Sequence, residues 1–72
     1  MSCVVDHYSD CGNSFNAYDG RYHVEMLQNG WARVDDHHSG VVTMVDPADD
    51  RILSGFGIPV DLFSEILRRW GQ

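Results

Sequence analysis

Residues 21–35 carry a turn signal between two alternating segments, and that signal constrains the fold more than any other. Arg21–Leu27 and Trp31–Asp35 flank Gln28-Asn29-Gly30, and Asn-Gly between alternating segments is a strong hairpin signal. Loop length then decides which side chains share a face, because a one-residue slip turns a whole strand over. A two-residue loop would set Val24 against Asp35 and Met26 against Arg33, mixing core with surface. A three-residue loop sets Leu27 against Trp31, Met26 against Ala32, Glu25 against Arg33 and Val24 against Val34. Gly30 then takes the left-handed position of a bulged turn. One face becomes Tyr22, Val24, Met26, Ala32 and Val34, and the other gains a Glu25–Arg33 ion pair across the strands. The three-residue loop is the consistent reading.

The pattern continues downstream. Asp36–Gly40 reads as a second turn and Val41–Val45 as a strand. Pairing Val34 with Val42 and Ala32 with Met44 would extend the inward face. Asp46-Pro47-Ala48-Asp49-Asp50 closes that strand, since Pro does not serve a central ladder. Arg51–Leu53 can form a short fourth strand before a flexible link, Ser54–Gly57. Pro59–Trp70 reads as a helix: Pro59 suits its first position, and Phe63, Ile66, Leu67 and Trp70 recur at helical spacing. Asp61 and Glu65 lie toward its start, Arg68 and Arg69 in its last turn, matching the helix dipole. Gly71 is placed to end it in a left-handed cap. Upstream, Cys3-Val4-Val5 suggests an edge strand, and Ser9–Gly20 reads as loop pinned by Phe15 and Tyr18.

The expected fold is therefore α+β: a small antiparallel meander of three to four strands with one C-terminal helix packed on one face. The chain forms one domain, 1–72, with an irregular segment 1–20, a meander 21–53 and a helix 59–70. A core drawn from 72 residues supplies roughly 3–5 kcal/mol. Leu27, Trp31, Val41 and Val45 should point away from the helix. Such a cluster implies a cover: either residues 1–20, or a homodimer or partner interface with Trp31 as an anchor.

Charge limits function. Eleven Asp and Glu face five arginines and no lysine, a net charge of −6. Binding to DNA or RNA draws on clustered basic residues that displace counterions, so no direct nucleic-acid contact is expected. No apolar run approaches the roughly 20 residues of a membrane span. The first ten residues lack the features of a signal peptide. The expected location is cytoplasmic, the host cytoplasm for a phage-encoded chain, with Cys3 and Cys11 reduced.

Candidate chemistry is sparse. Cys3, His7 and Cys11 recur every four residues as a candidate zinc ligand set, with His23, His37 and His38 elsewhere. The spacing is unlike a zinc knuckle, which offers a close cysteine pair, so a buried Cys3 and a loop Cys11 are the plainer reading. His37-His38 beside Asp35-Asp36 could form a pH-sensitive patch or a solvated hairpin tip. Asp46, Asp49 and Asp50 lack the glycine and terminal glutamate of a calcium loop. Ser9, Ser14, Ser39, Ser54 and Ser64 have no nucleophile elbow around them, and Gly55-Phe56-Gly57 is too short to cradle phosphate. The expectation is a protein with no catalytic residues and no cofactor.

What remains is an acidic interaction protein that binds and inhibits a basic, nucleic-acid-handling protein through Asp35, Asp36, Asp46, Asp49 and Asp50, with Trp31 as apolar anchor. Small acidic domains without catalytic residues resemble, in general character, phage inhibitors of host defence, the anti-CRISPR and anti-restriction proteins that mimic DNA. That resemblance is compositional and covers no alignable residues. The alternatives are a structural or regulatory module that dimerises or docks through its outer sheet face, and a small zinc protein.

Overall fold

The structure, a computed structural model, describes residues 5–55 and 57–71. It is α+β. Among the described residues, six antiparallel strands lie in chain order in one sheet: β1 (Val5–Asp6), β2 (Ser14–Ala17), β3 (Tyr22–Met26), β4 (Ala32–Asp36), β5 (Val42–Asp46) and β6 (Arg51–Ser54). One helix, α1 (Val60–Trp70), follows. The meander thus has six strands, where three to four were expected.

The additional strands come from the N-terminal segment read as irregular. Ser14-Phe15-Asn16-Ala17 alternates in burial, but Ser, Asn and Ala are weak strand formers. The pairing comes from context: Phe15 lies opposite Val24 and Ala17 opposite Tyr22, and all four are buried. β1 then adds outside β2 through Val5–Ala17 and Asp6–Asn16. β1 and β2 therefore widen the sheet at its edge. Cys3 and Val4 of the expected edge strand lie outside the described residues. Asp6 is buried, and its two carboxylate oxygens accept the backbone N–H groups of Asp19 and Gly20 at 3.2 and 2.7 Å. Those bonds hold the β2–β3 turn, where Tyr18 and Asp19 both have φ of 56°, against the strain of that backbone region.

The β3–β4 hairpin has the three-residue loop. Val24 pairs with Val34, Glu25 with Arg33 and Met26 with Ala32. The Gly30 N–H donates to Leu27 O at 3.1 Å, the Leu27 N–H to Trp31 O at 2.8 Å, and Gly30 has φ of 90°. The expected Glu25–Arg33 ion pair does not form. Arg33 Nε instead donates to Asp35 Oδ1 on its own strand, at 3.2 Å.

Between β4 and β5 the register differs by one residue from expectation. Val34 lies opposite Thr43, and Ala32 opposite Val45. The cause is the turn. The Gly40 N–H donates to Asp36 O at 2.7 Å, and Asp36 Oδ1 accepts the His38 N–H at 2.9 Å, so the loop makes a full helical turn and holds one residue more. Every β5 side chain changes face in consequence. Thr43 and Val45 are buried, while Val42 is 40% exposed. Val45 is thus a core residue, and Val42 and Met44 take the outer positions.

The core comprises Phe15, Ala17, Tyr22, Val24, Ala32, Val34 and Val45 from the sheet, with Leu62 and Ile66 from α1. Phe63 and Trp70 pack at its border, whereas Leu62 was absent from the expected stripe. Burying Leu62 and Ile66 contributes about 1.5–3 kcal/mol each. Pro59 caps α1 and does not start it. Gly71 ends it with φ of −78° and ψ of 173°, extended and not left-handed, its N–H donating to Leu67 O at 2.7 Å.

One side chain ties the helix end to the start of the sheet. Arg69 makes a two-pronged contact with Asp10, 59 positions away, at 3.1 and 2.6 Å. It also bonds Glu65 at 2.7 Å and lays its guanidinium 4.1 Å from the centre of the Phe15 ring. The Arg69 hydrogen bond, followed by the Gly12 N–H, lowers the Asp10 carboxyl from 3.8 to about 2. At Asp36, burial pushes upward but is outweighed by Arg21, the His38 N–H and the Ser39 hydroxyl and N–H, and its carboxyl also lies at about 2. Both folded values fall below the unfolded 3.8, so the unfolded chain takes up protons first on acidification. Stability should hold above about pH 4 and fall between pH 4 and pH 2. Urea unfolding across that range checks this. A double Asp10→Asn, Asp36→Asn variant should be weaker at neutral pH and flatter below pH 4, and parallel curves for variant and parent would contradict the assignment.

Candidate functional site

The expected site residues divide between the two ends of the sheet. Asp35 and Asp36 end β4, next to the start of β5, whereas Asp46 ends β5. Four residues of β5 separate the two groups, roughly 14 Å at strand rise. One end therefore carries Asp35, Asp36, His37 and His38. The other carries Asp46, Asp49 and Asp50, with Trp31 one position beyond the Ala32–Val45 pair.

The two ends differ in what their carboxylates do. Asp35 is engaged by Arg33, and Asp36 by Arg21 at 3.4 Å. Asp36 also caps its own turn through the His38 and Ser39 N–H groups. Asp10 and Glu65 are engaged by Arg69 and Arg68. Four of the five arginines are thereby neutralised locally. Among the described residues, Asp46, Asp49 and Asp50 have no arginine at ion-pair distance, although Arg51 stands opposite Asp46 in the ladder. Asp46 Oδ1 accepts the Ala48 and Asp49 N–H groups at 3.2 and 3.3 Å, while Asp49 and Asp50 are exposed. The densest uncompensated negative charge is thus the β5–β6 turn.

That turn repeats the β4–β5 turn ten positions earlier. In each, an aspartate (Asp36, Asp46) caps the loop through Oδ1, and a left-handed residue closes it. Gly40, at φ of 77°, closes the first, and Asp50, at φ of 60°, closes the second. An aspartate stands where the sister turn has glycine. Asp50→Gly should raise stability by about 0.5–1 kcal/mol, the relief of left-handed strain exceeding the added freedom of the unfolded chain. Thermal unfolding measures it, and a loss of stability would show that the Asp50 side chain supports the turn.

The outer sheet face is more polar than expected. It presents Ser14 and Asn16 of β2, His23 and Glu25 of β3, and Arg33 and Asp35 of β4, with Val42 and Met44 of β5. His23 Nδ1 lies 2.7 Å from Asn16 Oδ1. With Val45 in the core, the apolar area shrinks to Trp31, 39% exposed, Val42 and the half-buried Leu27 and Met44. The sequence reading missed Val42 and Met44 here because β5 is apolar on both faces.

Of the zinc set, Cys3 lies outside the described residues. His7 opens a short 3-10 helix (His7–Ser9), and Cys11 is an exposed free thiol beyond it. Among the described residues, no three His, Cys, Asp or Glu side chains are grouped to hold a metal ion. A cleft lined by Pro47, Ala48, Asp50, Leu67 and Gly71 encloses about 170 Å³, below the roughly 300–1,000 Å³ of small-molecule sites. Among the described residues, no helix is long and apolar enough to cross a membrane. Comparison with protein families, with characterised proteins and with solved structures gives no match.

Proposed function

We propose that this chain is a non-catalytic interaction protein whose β5–β6 end docks on a basic surface of a nucleic-acid-handling protein and blocks it. The observation that carries this reading is the local charge balance. Arginines engage Asp10, Glu65, Asp35 and Asp36, yet among the described residues Asp46, Asp49 and Asp50, grouped on one turn beside the half-exposed Trp31, have none at ion-pair distance. Carboxylates on a short turn can occupy the places of phosphates, and their field speeds capture of a basic target.

Capture from cell lysate tests the reading with charge-matched variants. The parent should retain basic nucleic-acid-binding proteins and release them as salt rises. Asp49→Lys with Asp50→Lys should abolish capture. Asp19→Lys with Glu25→Lys makes the same change in net charge elsewhere and should leave most capture intact. Equal loss in both variants would mean that net charge alone acts, and the proposed surface would be wrong.

A further inference from the structure

We propose that the partner is held by strand addition, an extended basic segment pairing with the open edge of β6. The inference rests on the proposed function above and names how that surface binds.

Among the described residues, β6 is the last strand of the sheet and pairs with β5 alone. The other edge of Arg51–Ser54 therefore offers backbone N–H and C=O groups to an incoming strand. Arg51, Ile52 and Ser54 are exposed, Ile52 at 39%. Proteins shield such edges with charged side chains, proline, bulges or extreme shortness. The opposite edge is β1, described over Val5–Asp6, which runs directly into the 3-10 helix. β6 has four residues, with Arg51 its one charged side chain and no Pro. A bulge where β6 pairs with Met44 and Val45 is itself a partial guard and limits pairing to a short contact.

Charge selects the occupant. The acidic turn runs directly into β6, so Asp49 and Asp50 flank the start of the edge. A second copy would bring another chain of net charge −6. Antiparallel pairing of β6 with itself would place Asp49 and Asp50 near residues 55–57 of the other copy, Gly-Phe-Gly, which hold no basic group. A foreign strand with Lys or Arg beside Asp49 and Asp50 and an apolar residue against Ile52 satisfies both the edge and the charge.

Two peptides of about ten residues and equal charge provide the test, one alternating Lys with Val and the other Lys with Pro. Proline removes half of the backbone donors and resists strand pairing. The Lys–Val peptide should bind at least about tenfold more tightly, the equivalent of one or two net hydrogen bonds, and slow amide exchange in residues 51–54. Ile52→Lys should weaken that binding by a similar factor without lowering the melting temperature, because Ile52 is half exposed. Equal affinity for the two peptides would overturn strand addition while leaving the acidic surface in place. Slowed exchange at β1, absence of binding by the Lys–Val peptide, or a dimer in sedimentation that Ile52→Lys dissolves would each overturn it too. The acidic surface is judged separately, by capture with the Asp49→Lys, Asp50→Lys variant.

Discussion

Phe15→Ala is expected to leave most of the chain unfolded at 25 °C. Phe15 is fully buried, faces Val24 across the β2–β3 ladder, and lies 6.1 Å from the Trp70 ring. The Arg69 guanidinium lies 4.1 Å from the centre of its ring. Truncation removes the transfer free energy of the ring and opens a cavity, about 3–5 kcal/mol together. A domain this small has roughly that much in total. It would also strip the apolar support from Arg69, whose bonds to Asp10 and Glu65 fasten the helix end. Far-UV circular dichroism in urea measures the effect, with Phe15→Leu as a variant that should retain cooperative unfolding. A Phe15→Ala protein that unfolds cooperatively with less than about 1 kcal/mol lost would place the core elsewhere.

Gly55→Ala is the second large effect. Gly55 has φ of +90°, and a Cβ there would lie 2.5 Å from Val42 O, 2.8 Å from Thr43 Cα and 2.8 Å from Thr43 Oγ1. Two of those atoms are backbone of β5, so β6 must separate from β5 to admit the methyl group. Left-handed strain of about 1–2 kcal/mol adds to overpacking of about 1–3 kcal/mol. Gly12 is the matched control: its φ is +85°, but a Cβ would meet nothing within 4 Å. Gly12→Ala should therefore show the strain without the clash. Amide exchange should reveal β6 opening in the Gly55 variant alone, and equal losses in both would refute the close approach.

The hairpin of β3 and β4 was legible because its two faces differ chemically, so only one loop length separates apolar from charged residues. β5 was not, because Val42, Met44 and Val45 read as apolar in either register. The deciding contacts were hydrogen bonds from the His38 and Ser39 backbone to Asp36, which pattern reading does not weigh. β2 escaped notice because Ser14, Asn16 and Ala17 lack strand propensity, and Phe15 and Ala17 become strand residues through tertiary pairing. The helix was legible in extent from Phe63, Ile66 and Trp70. Its Arg69–Asp10 clasp was not, because the partners lie at opposite ends of the chain. For the candidate surface, the sequence indicated where acids fall on turns. It did not indicate which of them arginines would neutralise, and that distinction separates Asp35 and Asp36 from Asp46, Asp49 and Asp50.

The most direct measurement of the central claim is amide chemical-shift mapping of the isotope-labelled chain during titration with a basic nucleic-acid-binding domain. The account predicts shifts concentrated at Trp31 and residues 46–54, reversed by salt. Shifts spread evenly over Asp19, Glu25, Asp61 and the β5–β6 turn would contradict it, leaving the acidic excess as a diffuse charge without a binding surface.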